Sequence, residues 1–175
     1  MRQPTRREAL RAGLALAAGM AAGPATAAAA PPPTDGSIIA SAAGFEQRSV
    51  LAYEIAVRSG LLGARLQPLV ERIGRQEAEH AAAMRTSLEA LGGTVPSPPE
   101  AIPGLAGATS EAEVAGFLLG LESASVSAYQ EALATLTGAV LIQTAASIMA
   151  VEAQHLVLIR KALGRESTRG PFERG

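Results

Sequence analysis

The chain of 175 residues has a formal net charge of -1, is 48% hydrophobic and only 3% aromatic, and contains two His and no Cys. The near balance of acidic and basic residues argues against a nucleic-acid-binding protein, which normally carries a basic excess. The lack of Cys excludes disulfides, iron–sulfur clusters, thiolate zinc sites and thiol nucleophiles. An Ala- and Leu-rich chain of this length with few aromatic residues predicts one all-α domain.

Residues 1–30 are set apart by paired arginines and a run of small residues. Arg6 and Arg7 precede a weakly apolar stretch of Ala, Gly and Leu, followed by small residues up to Ala30. This segment resembles a twin-arginine export signal, with cleavage expected after Ala27 or Ala30. The alternatives are a disordered leader or an N-terminal membrane anchor, for which the apolar stretch is short and rich in Gly. The resemblance implies passage through the twin-arginine translocase, which exports folded proteins, to a periplasmic or secreted location.

Glycines and a capping box mark out four helices in the rest of the chain. Gly60, Gly92 and Gly164 supply helix stops, and the capping box of Ser110 and Glu113 supplies a start. The helices are predicted over 37–59, from after residue 63 to 91, over 110–136, and from about 138 to 163.

The segments between and around these helices complete the predicted architecture. Residues 94–109 contain four prolines and two glycines, which predicts a long irregular connection. Residues 31–36 are predicted to be a linker and 164–175 a flexible tail. Two helical hairpins joined by one long crossover connection predict an up-down four-helix bundle over 37–163.

The two predicted hairpins are copies of one another. The motif Glu77-x-x-His80 recurs 75 positions later as Glu152-x-x-His155. In the first helix of each hairpin, five identical residues recur 76 positions apart: Glu46, Ser49, Val50, Ala52 and Tyr53, then Glu122, Ser125, Val126, Ala128 and Tyr129. This internal repeat predicts a pseudo-twofold bundle in which matched residues meet near the axis.

The acidic residues and His of the repeat interrupt the apolar stripes that face the core. Steps of three and four residues place Glu77 and His80 on one helix face with Val70, Ile73, Met84 and Leu91. The matched stripes of the other helices bring in three more Glu and the second His, with no Lys or Arg. Because burying an unpaired carboxylate costs several kcal/mol, four of them require protonation, pairing or metal. Two divalent cations would balance their charge.

One Glu from each of two helices and a Glu-x-x-His motif from each of the other two resemble the ferritin-like di-metal carboxylate bundle, over nearly the whole of 37–163. The resemblance implies two divalent metals, iron or manganese, with zinc able to enter the same oxygen-rich site. It implies these roles: Glu77 and Glu152 bridging both metals, His80 and His155 binding one each, and Glu46 and Glu122 as terminal ligands.

Tyr53 and Tyr129 lie seven residues beyond the predicted terminal carboxylates. They are predicted either to hydrogen-bond a ligand carboxylate and fix its orientation or to be core residues whose hydroxyls bond the backbone. Ser49 and Ser125 are predicted to be small residues that let helices approach, with a hydrogen-bonding role as the alternative.

Four further charged residues are predicted to lie outside the cluster. Glu54 and Glu79 are offset from the inward stripes and are expected on the surface. Arg85 and Arg160 follow the two His by five residues and are expected at solvated helix ends, with pairing to other carboxylates as the alternative.

The resemblance leaves the activity open. Without Cys, the chain cannot carry the Cys-ligated iron domain of rubrerythrin-like proteins. One hypothesis is an exported di-iron or di-manganese oxidoreductase, a ferroxidase or an enzyme that reacts with peroxide or dioxygen. The second is a non-enzymatic metal-binding or envelope-stress bundle, and a weaker third is an exported helical protein that binds a partner. The expected partners are metal ions, peroxide or dioxygen, and the translocase, without nucleic acid; a homo-oligomer is compatible with the sequence.

Overall fold

The computed structural model describes residues 32–166, and this part of the chain contains five helices and no strand. The helices are α1 (Asp35–Arg58), α2 (Gln67–Ala90), α3 (Pro103–Ala106), α4 (Glu111–Leu133) and α5 (Ala139–Ala162). The four long helices form two hairpins, α1 with α2 and α4 with α5, which pack together as the predicted four-helix bundle. The predicted export signal and residues 167–175 of the predicted tail lie outside the described residues.

The starts of α1 and α4 are fixed by side-chain caps. Thr34 and Ser37 form a reciprocal capping box, so α1 begins at Asp35, two residues before its predicted start. At α4 the Ser110 hydroxyl accepts from the Glu113 amide at 3.3 Å, as predicted. The Glu113 carboxylate, however, accepts from the Thr109 amide at 2.7 Å, so this cap reaches one residue further back than the predicted box.

Glycines end the helices where the sequence indicates. Gly60, Gly92 and Gly164 have φ values of 68°, 73° and 68°, the left-handed conformation that stops a helix at little cost. α4 ends at Leu133, three residues before the predicted end, although the Leu136 side chain remains buried.

Contacts between helix ends show how the hairpins are arranged. Asp35 at the start of α1 accepts from the amides of Thr137 and Gly138, just beyond the end of α4, at 2.9 and 2.8 Å. At the opposite end, the Gly63 amide donates to the carboxylate of Glu111 at the start of α4. α1 is therefore antiparallel to both α2 and α4, and the segment between α2 and α4 must run the length of the bundle.

That crossover is not irregular throughout, contrary to the prediction. It contains the short helix α3, which begins at Pro103, a residue whose fixed φ and missing N–H suit a first helical position. Ile102 and Leu105 turn into the core and are buried. Burial of these two side chains explains why a Pro- and Gly-rich segment forms a turn of helix here.

The core consists of two apolar clusters at different levels of the bundle, and the residues between them are polar. Ile73 of α2 and Ile159 of α5 belong to one cluster, and Met84 of α2 and Ile148 of α5 belong to the other. One position of the predicted stripe is wrong: Leu91 lies just past the end of α2 and is 46% exposed, while Leu88 is buried in its place. The polar level between the clusters is where the Glu-x-x-His motifs lie.

One of the described helices, α5, is long and apolar enough to cross a membrane by length and composition alone. In the structure its inward face carries Glu152 and His155 and packs against α2 and α4. α5 is therefore a helix of the bundle.

Candidate metal centre

The bundle brings together the six residues that the sequence singles out. Each Glu-x-x-His pair lies on one helix face, because residues three apart are neighbours on an α-helix. The four carboxylates are 0–1% exposed, His155 is 1% exposed and His80 is 8% exposed. The six are Glu46 from α1, Glu77 and His80 from α2, Glu122 from α4, and Glu152 and His155 from α5.

Their ligand atoms fall into two overlapping groups. One group is Glu46, Glu77, His80 and Glu152; the other is Glu77, Glu122, Glu152 and His155. Within each group the ligand atoms all lie within 4.8 Å of one another. Because Glu77 and Glu152 belong to both groups, the geometry is that of two adjacent cation sites joined by two shared carboxylates.

The two imidazoles stand at the centre of these groups. His155 Nδ1 lies 3.1 Å from Glu77 Oε1, 3.2 Å from Glu122 Oε2 and 3.4 Å from Glu152 Oε2. His80 Nδ1 lies 3.0 Å from Glu152 Oε1, and 3.9 and 4.0 Å from Glu77 and Glu46. The two rings are 6.0 Å apart, so each His serves its own half of the site.

The two tyrosines bond the cluster across the bundle. The Tyr129 hydroxyl on α4 donates to Glu46 Oε1 on α1 at 2.5 Å, and the Tyr53 hydroxyl on α1 donates to Glu122 on α4. Each tyrosine therefore bonds the carboxylate of the opposite hairpin, as the pseudo-twofold repeat requires. The sequence left open whether the tyrosine hydroxyls bond a carboxylate or the backbone, and in the structure both bond a carboxylate.

Burial dominates the electrostatics of the cluster. Burial, with repulsion from Glu152 and Glu77, raises the pKa of Glu46 to about 9. Burial likewise raises the pKa of Glu77 and of Glu122. Burial would raise the pKa of Glu152 too, but hydrogen bonds with His155 and His80 hold it below its usual range. Negative charge in the cluster is therefore concentrated on Glu152, between the two His.

Comparison with known proteins places this bundle in a family. The family model for the ferritin-like domain matches residues 34–165. The chain belongs to the ferritin-like domain family. A crystal structure of a conserved hypothetical protein, rv2844, from Mycobacterium tuberculosis is similar, with a TM-score of 0.68 and 19% sequence identity, covering 79% of this chain and 96% of that one. At this identity the likeness shows the fold alone. No curated protein matches the chain significantly.

The cluster of this ferritin-like protein fits a pair of hard divalent cations. Glu46 Oε2 is fully buried and has no hydrogen-bond partner among the described residues. Buried carboxylate oxygens are rarely left without a partner, because their desolvation is then uncompensated. Carboxylate oxygens and neutral imidazoles are also the donors that iron and manganese accept. An unpartnered oxygen of Glu46 within a preformed donor group is what a cation site requires.

Other charged residues of this ferritin-like protein lie where expected, with one exception. Glu54 and Glu79 are exposed, and Glu54 pairs with Arg58 at 3.4 Å. Arg85 is exposed, but Arg160 is 7% exposed and therefore not at a solvated helix end as predicted. The Ser125 hydroxyl is buried without a hydrogen bond, which agrees with a small residue at a helix contact.

Sequence reasoning missed one residue at the cluster. The side-chain oxygen of Gln76 lies 3.1 Å from Nε2 of His155, the ring nitrogen that faces away from the carboxylates. The internal repeat does not indicate Gln76, because the matched position in the second hairpin is Val151. Its position directly before Glu77 carries no signal of this contact.

Proposed function

We propose that this ferritin-like protein is exported and holds a di-iron or di-manganese centre in its bundle, acting as a ferroxidase or as an oxidoreductase that reacts with peroxide or dioxygen. The observation that supports the proposal most is the pair of donor groups that share Glu77 and Glu152. When bound, two such cations would supply redox and Lewis-acid chemistry toward oxygen species or ferrous iron.

Each side chain has a defined part in this proposal. Glu77 and Glu152, which belong to both donor groups, would help to hold both cations; Glu46 and Glu122 would each complete one half, and each His would supply the nitrogen ligand of its half. Tyr129 and Tyr53 fix the carboxylates of Glu46 and Glu122 by donating to one oxygen of each; the other oxygen of Glu46 has no hydrogen-bond partner among the described residues, and the other oxygen of Glu122 lies 3.2 Å from His155 Nδ1. Four carboxylates balance the charge of two divalent cations when both His are neutral.

The proposed compartment follows from the resemblance of residues 1–30 to a twin-arginine signal. Proteins exported by this route cross the membrane folded, so a bundle that requires metal to neutralise its core can be loaded beforehand. The proposal includes the translocase as a transient partner and a periplasmic or secreted protein as the product.

A second candidate function is a bundle in which metal only stabilises the core. The deep burial of the cluster favours it: the carboxylates are 0–1% exposed and His80, the most accessible of the six, is 8% exposed. A closed site with four protein ligands per metal is typical of structural metal sites. Activity therefore has to be measured separately from binding.

Metal content tests the proposal first. We expect protein purified from its own compartment to contain two metals per chain by elemental analysis, and Glu77→Ala and Glu152→Ala each to lose most of both, because each removes a bridging ligand. Glu79→Ala is the matched control: it lies on the same helix, is exposed and should leave the metal content unchanged. Fewer than one metal per chain, with stability unaffected by a chelator, would contradict both metal-dependent functions.

Consumption of ferrous iron or peroxide then separates enzyme from metal-binding bundle. The oxidoreductase proposal expects turnover by the loaded protein that Glu77→Ala and Glu152→Ala abolish and Glu79→Ala preserves. A fully loaded protein without turnover would favour the structural function, and turnover that survives both bridging substitutions would place the chemistry elsewhere.

A further inference from the structure

We infer that the two halves of the metal centre are not equivalent, and that Gln76 makes the His155 half the tighter site and the first to be filled. This inference rests on the proposed di-metal function. It goes beyond that function by assigning an order of loading and a positioning residue to this chain.

Gln76 fixes the orientation of His155. His155 is held from both sides, with Nδ1 facing three carboxylates and Nε2 bonded to the Gln76 oxygen at 3.1 Å. An amide oxygen can only accept, so the neutral form of His155 that binds a cation would carry its proton on Nε2 and present the Nδ1 lone pair to the cation site. Hydrogen bonds of this kind to a ligating His commonly change metal affinity 10- to 100-fold.

The His80 half has no such support at the matched position. The repeat places Val151 where Gln76 stands in the other hairpin, and Val has no polar atom to offer the imidazole. His80 is also the more exposed of the two His, at 8% against 1%. Its orientation is therefore less constrained than that of His155.

The distances between the imidazole nitrogen and the carboxylate oxygens also favour the His155 half. Two ligands each about 2.1 Å from one cation, at angles between 90° and 110°, lie roughly 3.0–3.4 Å apart. In the His155 half, Nδ1 already lies 3.1–3.4 Å from three carboxylate oxygens. In the His80 half, only Glu152 is at this distance, and the oxygens of Glu77 and Glu46 are 3.9 and 4.0 Å away. Measured from its imidazole nitrogen, the His80 half has to contract further than the His155 half to bind a cation.

A titration of the full, metal-free protein with Mn²⁺ tests the inference. Binding is monitored by calorimetry and by the electron paramagnetic resonance signal of free Mn²⁺. We expect two binding steps of different affinity. Gln76→Val should weaken the tight step 10- to 100-fold, and Gln76→Glu, which keeps an acceptor oxygen, should restore it. The reciprocal change Val151→Gln should strengthen the weak step. Gln154→Val is the matched control, since Gln154 directly precedes His155 but is exposed, and both steps should be unchanged.

Nitrogen-15 NMR of the zinc-loaded wild type gives a readout that does not depend on any variant folding. We expect the His155 ring to carry a hydrogen-bonded proton on Nε2. Two indistinguishable steps that Gln76→Val leaves unchanged, or a His155 proton on Nδ1, would overturn the inference while leaving the di-metal function intact. A wild-type protein that binds no Mn²⁺ would instead contradict the proposed function itself.

Discussion

The metal-free protein is expected to lose stability between pH 6 and pH 8.5. In the folded chain, burial and the neighbouring Glu152 and Glu77 raise the pKa of Glu46 to about 9. Burial alone would lower the pKa of His155, but its hydrogen bonds to Glu122, Glu152 and Glu77 outweigh this and raise it to about 11. Both groups are protonated in the fold at a pH where the unfolded chain has released the proton.

The direction in which stability changes with pH follows from proton linkage. Glu46 binds more protons in the folded than in the unfolded state between about pH 4.5 and pH 9, and His155 does so between about pH 6.5 and pH 11. Stability therefore falls as the pH rises through these ranges. The low pKa of Glu152 has the opposite sign but acts only in acid, outside this window. Between pH 6 and 8.5 we expect Glu46 to lower the free energy of unfolding by roughly 3 kcal/mol and His155 to lower it further by about 2–3 kcal/mol.

Bound metal should reverse this slope. Cations bind the deprotonated carboxylates and neutral imidazoles, so loading releases protons and becomes more favourable as pH rises. Urea denaturation at pH 6, 7 and 8.5, with a chelator and with excess Mn²⁺, measures both slopes. In the metal-free series, Glu46→Gln should flatten the slope, because it removes one of the groups that titrate. A metal-free protein with the same stability at pH 6 and 8.5 would contradict the protonation states described above.

Most of the fold and the residues of the buried Glu/His cluster could be predicted because both depend on short-range patterns. Helix stops at Gly60, Gly92 and Gly164 depend on local backbone conformation, which the glycines themselves specify. The 3.6-residue period decides which face a residue occupies, so Glu122 and Glu152 could be placed in the core from spacing alone.

The features that could not be predicted depend on contacts between distant segments. Periodicity cannot show that α2 ends before Leu91, which leaves that side chain exposed while Leu88 is buried. It also cannot show that Ile102 and Leu105 are pulled into the core, which makes a turn of helix in a Pro-rich crossover. The Gln76 contact joins α2 to α5 and has no counterpart in the repeat, so only the packed structure reveals it.

Replacing Glu46 and Tyr129 together by apolar residues is expected to stabilise the metal-free protein and remove one metal. Glu46 Oε2 is buried without a partner, and the Tyr129 hydroxyl bonds the other oxygen. When both members of a buried polar pair are replaced by groups of similar shape, no unsatisfied atom is left, and such changes are often stabilising by about 1–3 kcal/mol. We expect this gain for Glu46→Leu combined with Tyr129→Phe.

Tyr129→Phe alone should have the opposite effect, a loss of about 1–3 kcal/mol, because Glu46 then loses its donor while remaining buried. Denaturation of the two single variants and the double variant in chelator measures the coupling between the side chains. Glu54→Leu is the control: Glu54 is exposed, and stability should change by less than about 0.5 kcal/mol.

Adding metal should reverse the ranking of these proteins. At a free concentration of about 1,000 times Kd, each bound cation stabilises the fold by about 4 kcal/mol. The wild type gains this from both halves, while the double variant has lost Glu46 from the His80 half and gains it from the His155 half alone. The wild type should therefore be the less stable protein in chelator and the more stable one in excess Mn²⁺. A double variant that is less stable than the wild type in both conditions would show that Glu46 stabilises the bundle without metal. Metal binding would then not explain why these polar residues lie in the core.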